Sequence, residues 1–421
     1  MTRHRRRSDR PRGPCTSAVV DYDGPASMSN RSLAPSVVLF FLSACGGAPL
    51  HNGDSFDLPT ATSLGGAVLT SPRVQPIYFP GFPHAAEMET FMARLPTSGY
   101  WPAVTAEYGV GPLTVLTGFS PTMTVPAAVA AADLKNLFGQ ALTQGAATLG
   151  PARTDTIYAL FFDPATAITV ENMTLCGRGH PSGFHDEWSV GDVKVPVAII
   201  PTCATSDSDS RLTGADILMP SISHELVEAA TDPYVRSAPA FLAIDDAHAL
   251  WAAALGGAEV GDLCENEMPN LIVPDDIGFP VQRIWSNASA RAGAGPCVPV
   301  PPGEAYFNGQ ANLPDQVMLK SAGGTITVPV LTAAVGQTAS AQVSLHSVRA
   351  ATTPVAVVAI EVDNPGGQIS DHPTSVKANL GQTVAVPITS STGGKSGVAP
   401  LLVVASDGSA YHLWVGAIDR R

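Results

Sequence analysis

Charge is scarce in this chain: Asp, Glu, Lys and Arg make up 14% of its 421 residues, and the basic share is the smaller, 23 against 36 acidic. Phosphate binding needs a basic surface, so nucleic acid is excluded as a partner. Aromatic residues are sparse at 6%, and past residue 44 no apolar run is long enough to span a bilayer. What fills the chain instead is 39 Gly and 37 Pro among Ser, Thr and Ala, the composition of a turn-rich secreted protein of about two domains.

The first 44 residues read as addressing. Arg3, Arg5, Arg6, Arg7, Arg10 and Arg12 form a basic head, and after Met28 come Arg31, the apolar run Ser36-Val37-Val38-Leu39-Phe40-Phe41-Leu42 and then Ser43-Ala44-Cys45. A positive residue, a short apolar core and small residues before a cut make a secretory signal. Leu42-Ser43-Ala44-Cys45 resembles the bacterial lipobox, whose cysteine is lipid-modified and becomes the mature N-terminus. Cleavage there leaves 16 basic and 33 acidic side chains, a formal charge of −17. The expected location is the bacterial cell envelope, with the membrane reached through the lipid on Cys45.

Cysteine is also rare. With Cys15 in the discarded head and Cys45 lipidated, Cys176, Cys203, Cys264 and Cys297 remain for an oxidising compartment. Four cysteines allow three pairings. The favoured one is Cys176–Cys203 with Cys264–Cys297, each closing a moderate loop worth ~3 kcal/mol. A thiolate metal site is the competing use, but the close paired spacing of zinc ribbons is missing.

Residues 45–66 have no periodicity and read as a tether, with a folded domain beginning near Ala67. Val68-Leu69 and Val74–Phe79 read as strands, and Ala85–Leu95 as a helix. A second helix is expected from Thr124 as cap and Pro126 in the first turn, with Leu134, Leu137, Phe138, Ala141 and Leu142 down one side. Thr156–Phe162 and Val195–Ile200 are strands, and the Gly-rich stretch Cys176–Trp188 between them reads as a loop offering His180 and His185. The expected fold class is an α+β domain over residues 67–300 with a helix lying across a sheet.

The most informative stretch is Ser221-Ile222-Ser223-His224-Glu225-Leu226-Val227-Glu228-Ala229-Ala230-Thr231-Asp232-Pro233. Ser221 is placed as an N-cap, Ile222, Leu226 and Ala229 recur at helical spacing, and Pro233 disfavours helix in its predecessor. Residues four apart on a helix share a face, so His224 and Glu228 can point at one spot. Together they can hold a metal, and Glu225 is placed like the water-activating carboxylate of zinc peptidases. Those helices carry His at both ligand positions, and here the second is Glu228, a carboxylate that is also an acceptable zinc ligand. The same pattern also suits an amphipathic helix with a wet polar face.

A two-ligand helix needs a third ligand from elsewhere. Glu259 and Asp262, close to Cys264, are the acidic candidates, with Asp232 a further one. Zn2+ is the expected ion, and the oxygen-rich set keeps Ca2+ as the alternative. His180 or His185 is placed to steady an oxyanion.

Ser223–Pro233, followed by Glu259-Val260-Gly261-Asp262-Leu263-Cys264 and by Val281-Gln282-Arg283-Ile284-Trp285-Ser286-Asn287, resembles the bacterial relatives of the plant EXORDIUM (phosphate-induced) proteins. Pro201-Thr202-Cys203 and Pro296-Cys297 match in order, and the resemblance covers roughly residues 67–300. It implies a secreted protein with a zincin-like core, related to growth control at the cell wall, and no settled reaction. The chain departs at the loop: the family tends to a tighter Cys-x-x-His, whereas His180 follows Cys176 by four.

After Pro301-Pro302-Gly303, short apolar runs at Thr325–Val330, Ala341–Leu345, Val355–Ile360, Thr383–Val386, Leu401–Val404 and His412–Val415 are separated by Gly, Pro and Ser turns. Residues 301–421 are therefore expected to form an all-β, immunoglobulin-like sandwich for spacing or attachment. Trp414 is expected in its core rather than stacked on sugar. The function these features point to is a secreted, lipid-anchored envelope protein with a metal-dependent peptidase domain, acting on a peptide or cell-wall polymer. The opposing reading is a non-catalytic wall-polymer adhesin.

Overall fold

The computed structural model describes residues 56–176, 181–205, 211–321, 324–348, 354–362, 374–389 and 396–421. The signal, Cys45, the first part of the tether and His180 lie outside the described residues. The fold is a mixed α+β unit followed by a β-rich C-terminal region.

The first unit is built on a five-stranded sheet in the order Thr114–Val115, Arg73–Tyr78, Thr156–Phe161, Val193–Ile200 and Phe184–Val190. The first four strands run parallel, and Phe184–Val190 is antiparallel at the edge. Alternation along these strands divides their apolar side chains between two cores. Ile157, Ala159, Phe161, Ala198 and Ile200 face one layer, which holds Ile222 and Leu226. Tyr158, Leu160, Val195, Val197 and Ile199 face the other, against Leu134, Leu137, Phe138 and Ala141 of the helix Ala131–Gln144. The sheet is thus covered on both faces, as parallel strands require.

Three expectations need correction here. The second helix starts at Ala131, not near Thr124, because Ala128–Ala130 is extended and pairs with Ala167–Thr169. The Asp133 carboxylate accepts from the Ala130 N–H at 2.9 Å and marks the true helix start. Val68-Leu69 joins no sheet; Leu69 N–H donates instead to Ala230 O at 2.9 Å, at the end of the site helix.

The tether also ends earlier than expected. Leu58 and Ala61 are buried, and Ala61–Thr62 pairs with Ala243–Ile244, so the chain is packed well before Ala67. Charge fastens this entrance segment: His248 Nδ1 lies 2.7 Å from Asp245 Oδ1 and its Nε2 lies 3.3 Å from Asp57. Burial disfavours the imidazolium, but the Asp245 hydrogen bond and Asp57 outweigh it and raise the His248 pKa to about 9. A raised histidine pKa stabilises the fold fully below the unfolded value of about 6.5 and ceases to do so as pH rises through about 9. The stability advantage of the natural chain over His248→Gln should therefore be ~2 kcal/mol near pH 6, allowing for the exposure of Asp57, and vanish by pH 10 in denaturant titrations.

In the C-terminal region a three-stranded sheet (Phe307–Asn312, Thr338–Ser347, Thr383–Thr389) packs on a six-stranded one containing Val355–Glu361, Gly397–Ser406 and Tyr411–Arg420. Ala341, Val343, Leu345 and Val386 of the first meet Val357, Leu401, Val403 and Ala405 of the second in one buried cluster. Every strand expected in residues 301–421 is present and runs longer than the apolar run that signalled it. Trp414 is buried, and its Nε1–H donates to Asp57 O at 3.0 Å, so it clamps the incoming chain instead of offering a ring to sugar. The region is docked firmly. Met268 and Tyr411 exchange backbone hydrogen bonds at 3.0 Å, and Glu267 accepts from Leu413 N–H while facing His412 Nδ1 at 2.7 Å.

Disulfides join Cys176 to Cys203 and Cys264 to Cys297. Such bonds persist in oxidising, extracytoplasmic compartments. Among the described residues no helix is long and apolar enough to cross a membrane.

Candidate metal centre

The site helix spans Met219–Thr231. It begins two residues before Ser221, because Pro220 suits the first turn, where its missing N–H costs nothing. Ser221 is therefore inside the helix, where its hydroxyl meets Ser182 Oγ at 2.6 Å. At the other end Asp232 leaves helical geometry before Pro233, and its Oδ1 accepts from Ala240 N–H at 2.7 Å.

Ser221, His224, Glu225 and Glu228 occupy one face at positions i, i+3, i+4 and i+7. That face is not wet: Glu225 is 6% exposed and Glu228 2%. The amphipathic alternative therefore fails. What covers the face is the edge strand and a later loop.

The edge strand brings His185. The expectation of a loop histidine is corrected: His185 sits on Phe184–Val190, directly opposite Ala198 in the ladder. Opposed residues share a face, and Ala198 faces the site helix, so the imidazole does too. Its Nδ1 lies 3.4 Å from Glu225 Oε2 and 3.5 Å from Glu228 Oε2, and its Nε2 lies 3.3 Å from Glu259 Oε1.

The loop brings Glu259 and Asp262. His224 Nε2 lies 2.9 Å from Glu228 Oε2 and 3.7 Å from Asp262 Oδ1. Glu228 Oε1 accepts from the N–H groups of Gly261 and Asp262 at 3.0 and 3.2 Å, which holds the loop to the helix. Glycine makes this approach feasible. A Cβ on Gly261 would stand 2.7 Å from Glu228 Oε1, one on Gly183 2.4 Å from Glu225 Oε1, and one on Gly257 1.9 Å from Asp262 Oδ2.

Two groups of donor atoms result, each within 4.8 Å throughout: His185, Glu225 and Glu228; and His224, Glu228 and Asp262. All the candidates that lie on described residues converge. Asp232 stands behind them, with Oδ1 holding the turn and Oδ2 buried without a partner. His185 Nε2 and Glu259 Oε1 are likewise buried and, despite their proximity, out of hydrogen-bond alignment.

The electrostatics reflect crowded acid groups. Burial raises the pKa of Glu228, and it takes Glu259 to about 7, Asp262 to about 8 and Asp232 to about 6, with neighbouring carboxylates adding to the effect. Burial opposes charge on both imidazoles, but Glu259 and Glu225 around His185, and Glu228 beside His224, hold their pKa values well above the ordinary one. Buried like charges need either protons or a cation. Imidazole nitrogens with carboxylate oxygens, orphaned buried atoms and glycines that leave room for the carboxylates fit a divalent metal.

No family model, curated protein or solved structure matches this chain.

Sequence reasoning missed Gln282. Its Oε1 lies 3.1 Å from His224 Nδ1 and its Nε2–H donates to Gly261 O at 2.8 Å, so one amide orients the histidine and the loop together. With Nδ1–H donated to Gln282, Nε2 is the nitrogen left free for a metal. Gln282 is itself fixed through its backbone, N–H to Ser223 Oγ at 2.9 Å and O from Tyr100 Oη at 2.7 Å. Nothing local in the sequence marks Gln282 for this role.

Proposed function

We propose that this chain is an exported, lipid-anchored envelope protein whose first unit is a zincin-like, metal-dependent hydrolase of peptides or wall-linked peptide material, of EXORDIUM type. The observation that carries the reading is the convergence of His224 and Asp262, both half-buried, on the buried Glu228 with mutually facing donor atoms. The His224 imidazole among the donors favours Zn2+ over Ca2+, which takes oxygen ligands. Bound at this group, the ion would supply Lewis acidity to a substrate carbonyl and to water.

The chain's own residues do the rest. Glu225, next to the ligands and exposed at 6%, takes the proton from the attacking water. His185, held among carboxylates, is the donor nearest Glu225 for developing negative charge. Gln282 keeps His224 in one tautomer. The His224 and Asp262 side is the open one, at 12% and 22% side-chain exposure, so substrate approaches there. The C-terminal sheets, read as an immunoglobulin-like sandwich, hold this unit away from the membrane anchor.

Protein purified without chelator should carry divalent metal, and hydrolysis of a casein or peptide mixture should stop on chelation and return with Zn2+. Chelation should also lower the melting temperature: an ion at a hundred times its Kd contributes ~2.7 kcal/mol, roughly 6–8 °C. Metal-free protein that stays metal-free when Zn2+ and Ca2+ are supplied sinks the proposal.

A second reading is favoured by one observation. Glu225 and His185 are both under a tenth exposed, with Gly183 packed against Glu225, as a sealed structural site would be. In that case metal binds and stabilises, no substrate is cut, and peptidoglycan or another wall polymer retains the protein.

A further inference from the structure

The ion of the proposed function, at His224, Glu228 and Asp262, does not use His185 as a ligand, although this imidazole is buried among carboxylates and keeps an unpartnered nitrogen. Glu228 Oε2 stands between the two imidazoles, 2.9 Å from His224 Nε2 and 3.5 Å from His185 Nδ1. The two donor groups meet only in Glu228, and the two histidines fall in different groups.

We propose that the centre is dinuclear: a second divalent ion is held by His185, Glu225 and Glu228, and Glu228 bridges it to the ion held by His224 and Asp262. The proposal rests on the hydrolase reading for the first ion only.

Charge balance supports two ions over one. Glu225, Glu228, Asp232, Glu259 and Asp262 bring five carboxylates to this region, where most of them are buried. One divalent ion offsets two of those charges and two ions offset four. With one ion the three remaining charges need protons or further partners in a largely buried setting, whereas with two ions the one left is readily carried by hydrogen bonds such as those to Glu228. The orphaned atoms give independent support. His185 Nε2, Glu259 Oε1 and Asp232 Oδ2 are all buried without hydrogen-bond partners on the His185 side of the centre. An ion on Nδ1 makes the Nε2–H more acidic and turns Glu259 into the carboxylate that orients a ligating histidine.

In this arrangement His185 Nδ1 gives up its donor role to become a ligand, and Glu225 acquires two duties. Its Oε2 faces His185 and serves as ligand, while Oε1, on the Gly183 side, remains to accept a proton. Carboxylate-bridged ions of this kind stand about 3.5–4 Å apart in two-metal hydrolases.

The test is metal stoichiometry on the full chain. Chelated protein titrated with Zn2+ should take up two equivalents by calorimetry and elemental analysis. His185→Ala and Glu225→Gln should each bind one, and His224→Ala should also bind one. Loading the natural chain with Mn2+ gives a readout free of folding defects: a bridged pair yields a spin-coupled paramagnetic resonance spectrum, isolated ions do not. One equivalent in the natural chain, unchanged by His185→Ala and with an uncoupled Mn2+ spectrum, overturns the second site and leaves the hydrolase reading standing. No bound metal overturns both.

Discussion

Glu225→Gln should reduce peptide hydrolysis by about 10²–10⁴-fold, the usual worth of a positioned general base, while leaving KM within a few-fold. The amide keeps the shape and volume of the carboxylate and loses its charge, and with it the ability to take a proton and the grip on the second ion proposed above. Shape matters at this position, because Gly183 packs against Glu225 Oε1 and a Cβ there would already stand 2.4 Å away. The ion proposed for His224, Glu228 and Asp262 should survive the substitution, since Glu225 is not among that group of donors. Hydrolysis that persists unchanged in Glu225→Gln removes the residue from its role even if metal is bound. Loss of all metal together with activity assigns it a structural duty instead.

The helix that carries this residue was legible because its signals are local. Ile222, Leu226 and Ala229 recur at helical spacing, Pro233 ends the run, and the i, i+4 relation places His224 and Glu228 on one face. The C-terminal strands were legible for the same reason, since alternation such as that in Gly397–Ser406 needs only two neighbours to define a face. His185 was misread as a loop residue because Gly183 and the glycines before it dominate the stretch. The signal that would have corrected this is Gly191-Asp192, a two-residue turn between Val190 and Val193 with Gly191 at φ 60°.

Other parts of the centre had no local signal at all. Periodicity says nothing about which acid in a loop reaches back to a helix, and Glu259 and Asp262 proved to serve different histidines. Gln282 acts across the fold on His224, 58 residues away, through contacts that only the docked strand creates. The extended start at Ala128–Ala130 was hidden likewise, since its partner strand Ala167–Val170 is distant in sequence.

Arg283→Ala should cost about 3–5 kcal/mol of folding stability, read as a shift of the denaturant midpoint. Arg283 is 1% exposed, yet every direction of its guanidinium is engaged. Nε–H donates to Cys297 O at 2.9 Å and Nη1–H to Pro269 O at 2.7 Å, and Nη2 lies 3.0 Å from Glu304 Oε1. Removing the side chain leaves Glu304, itself 9% exposed at the side chain, as a buried charge with its cation gone, along with the carbonyls of Cys297 and Pro269 stripped of their donor. Arg283→Met should cost nearly as much, because it restores volume but not charge. Arg283→Ala with Glu304→Ala should recover part of the loss, since the stranded carboxylate is gone too. The damage should reach the metal centre. Arg283 follows Gln282 in the chain, and a segment freed from Cys297 and Glu304 no longer holds that amide against His224. Zn2+ affinity should therefore fall in Arg283→Ala, although the substituted residue touches no ligand.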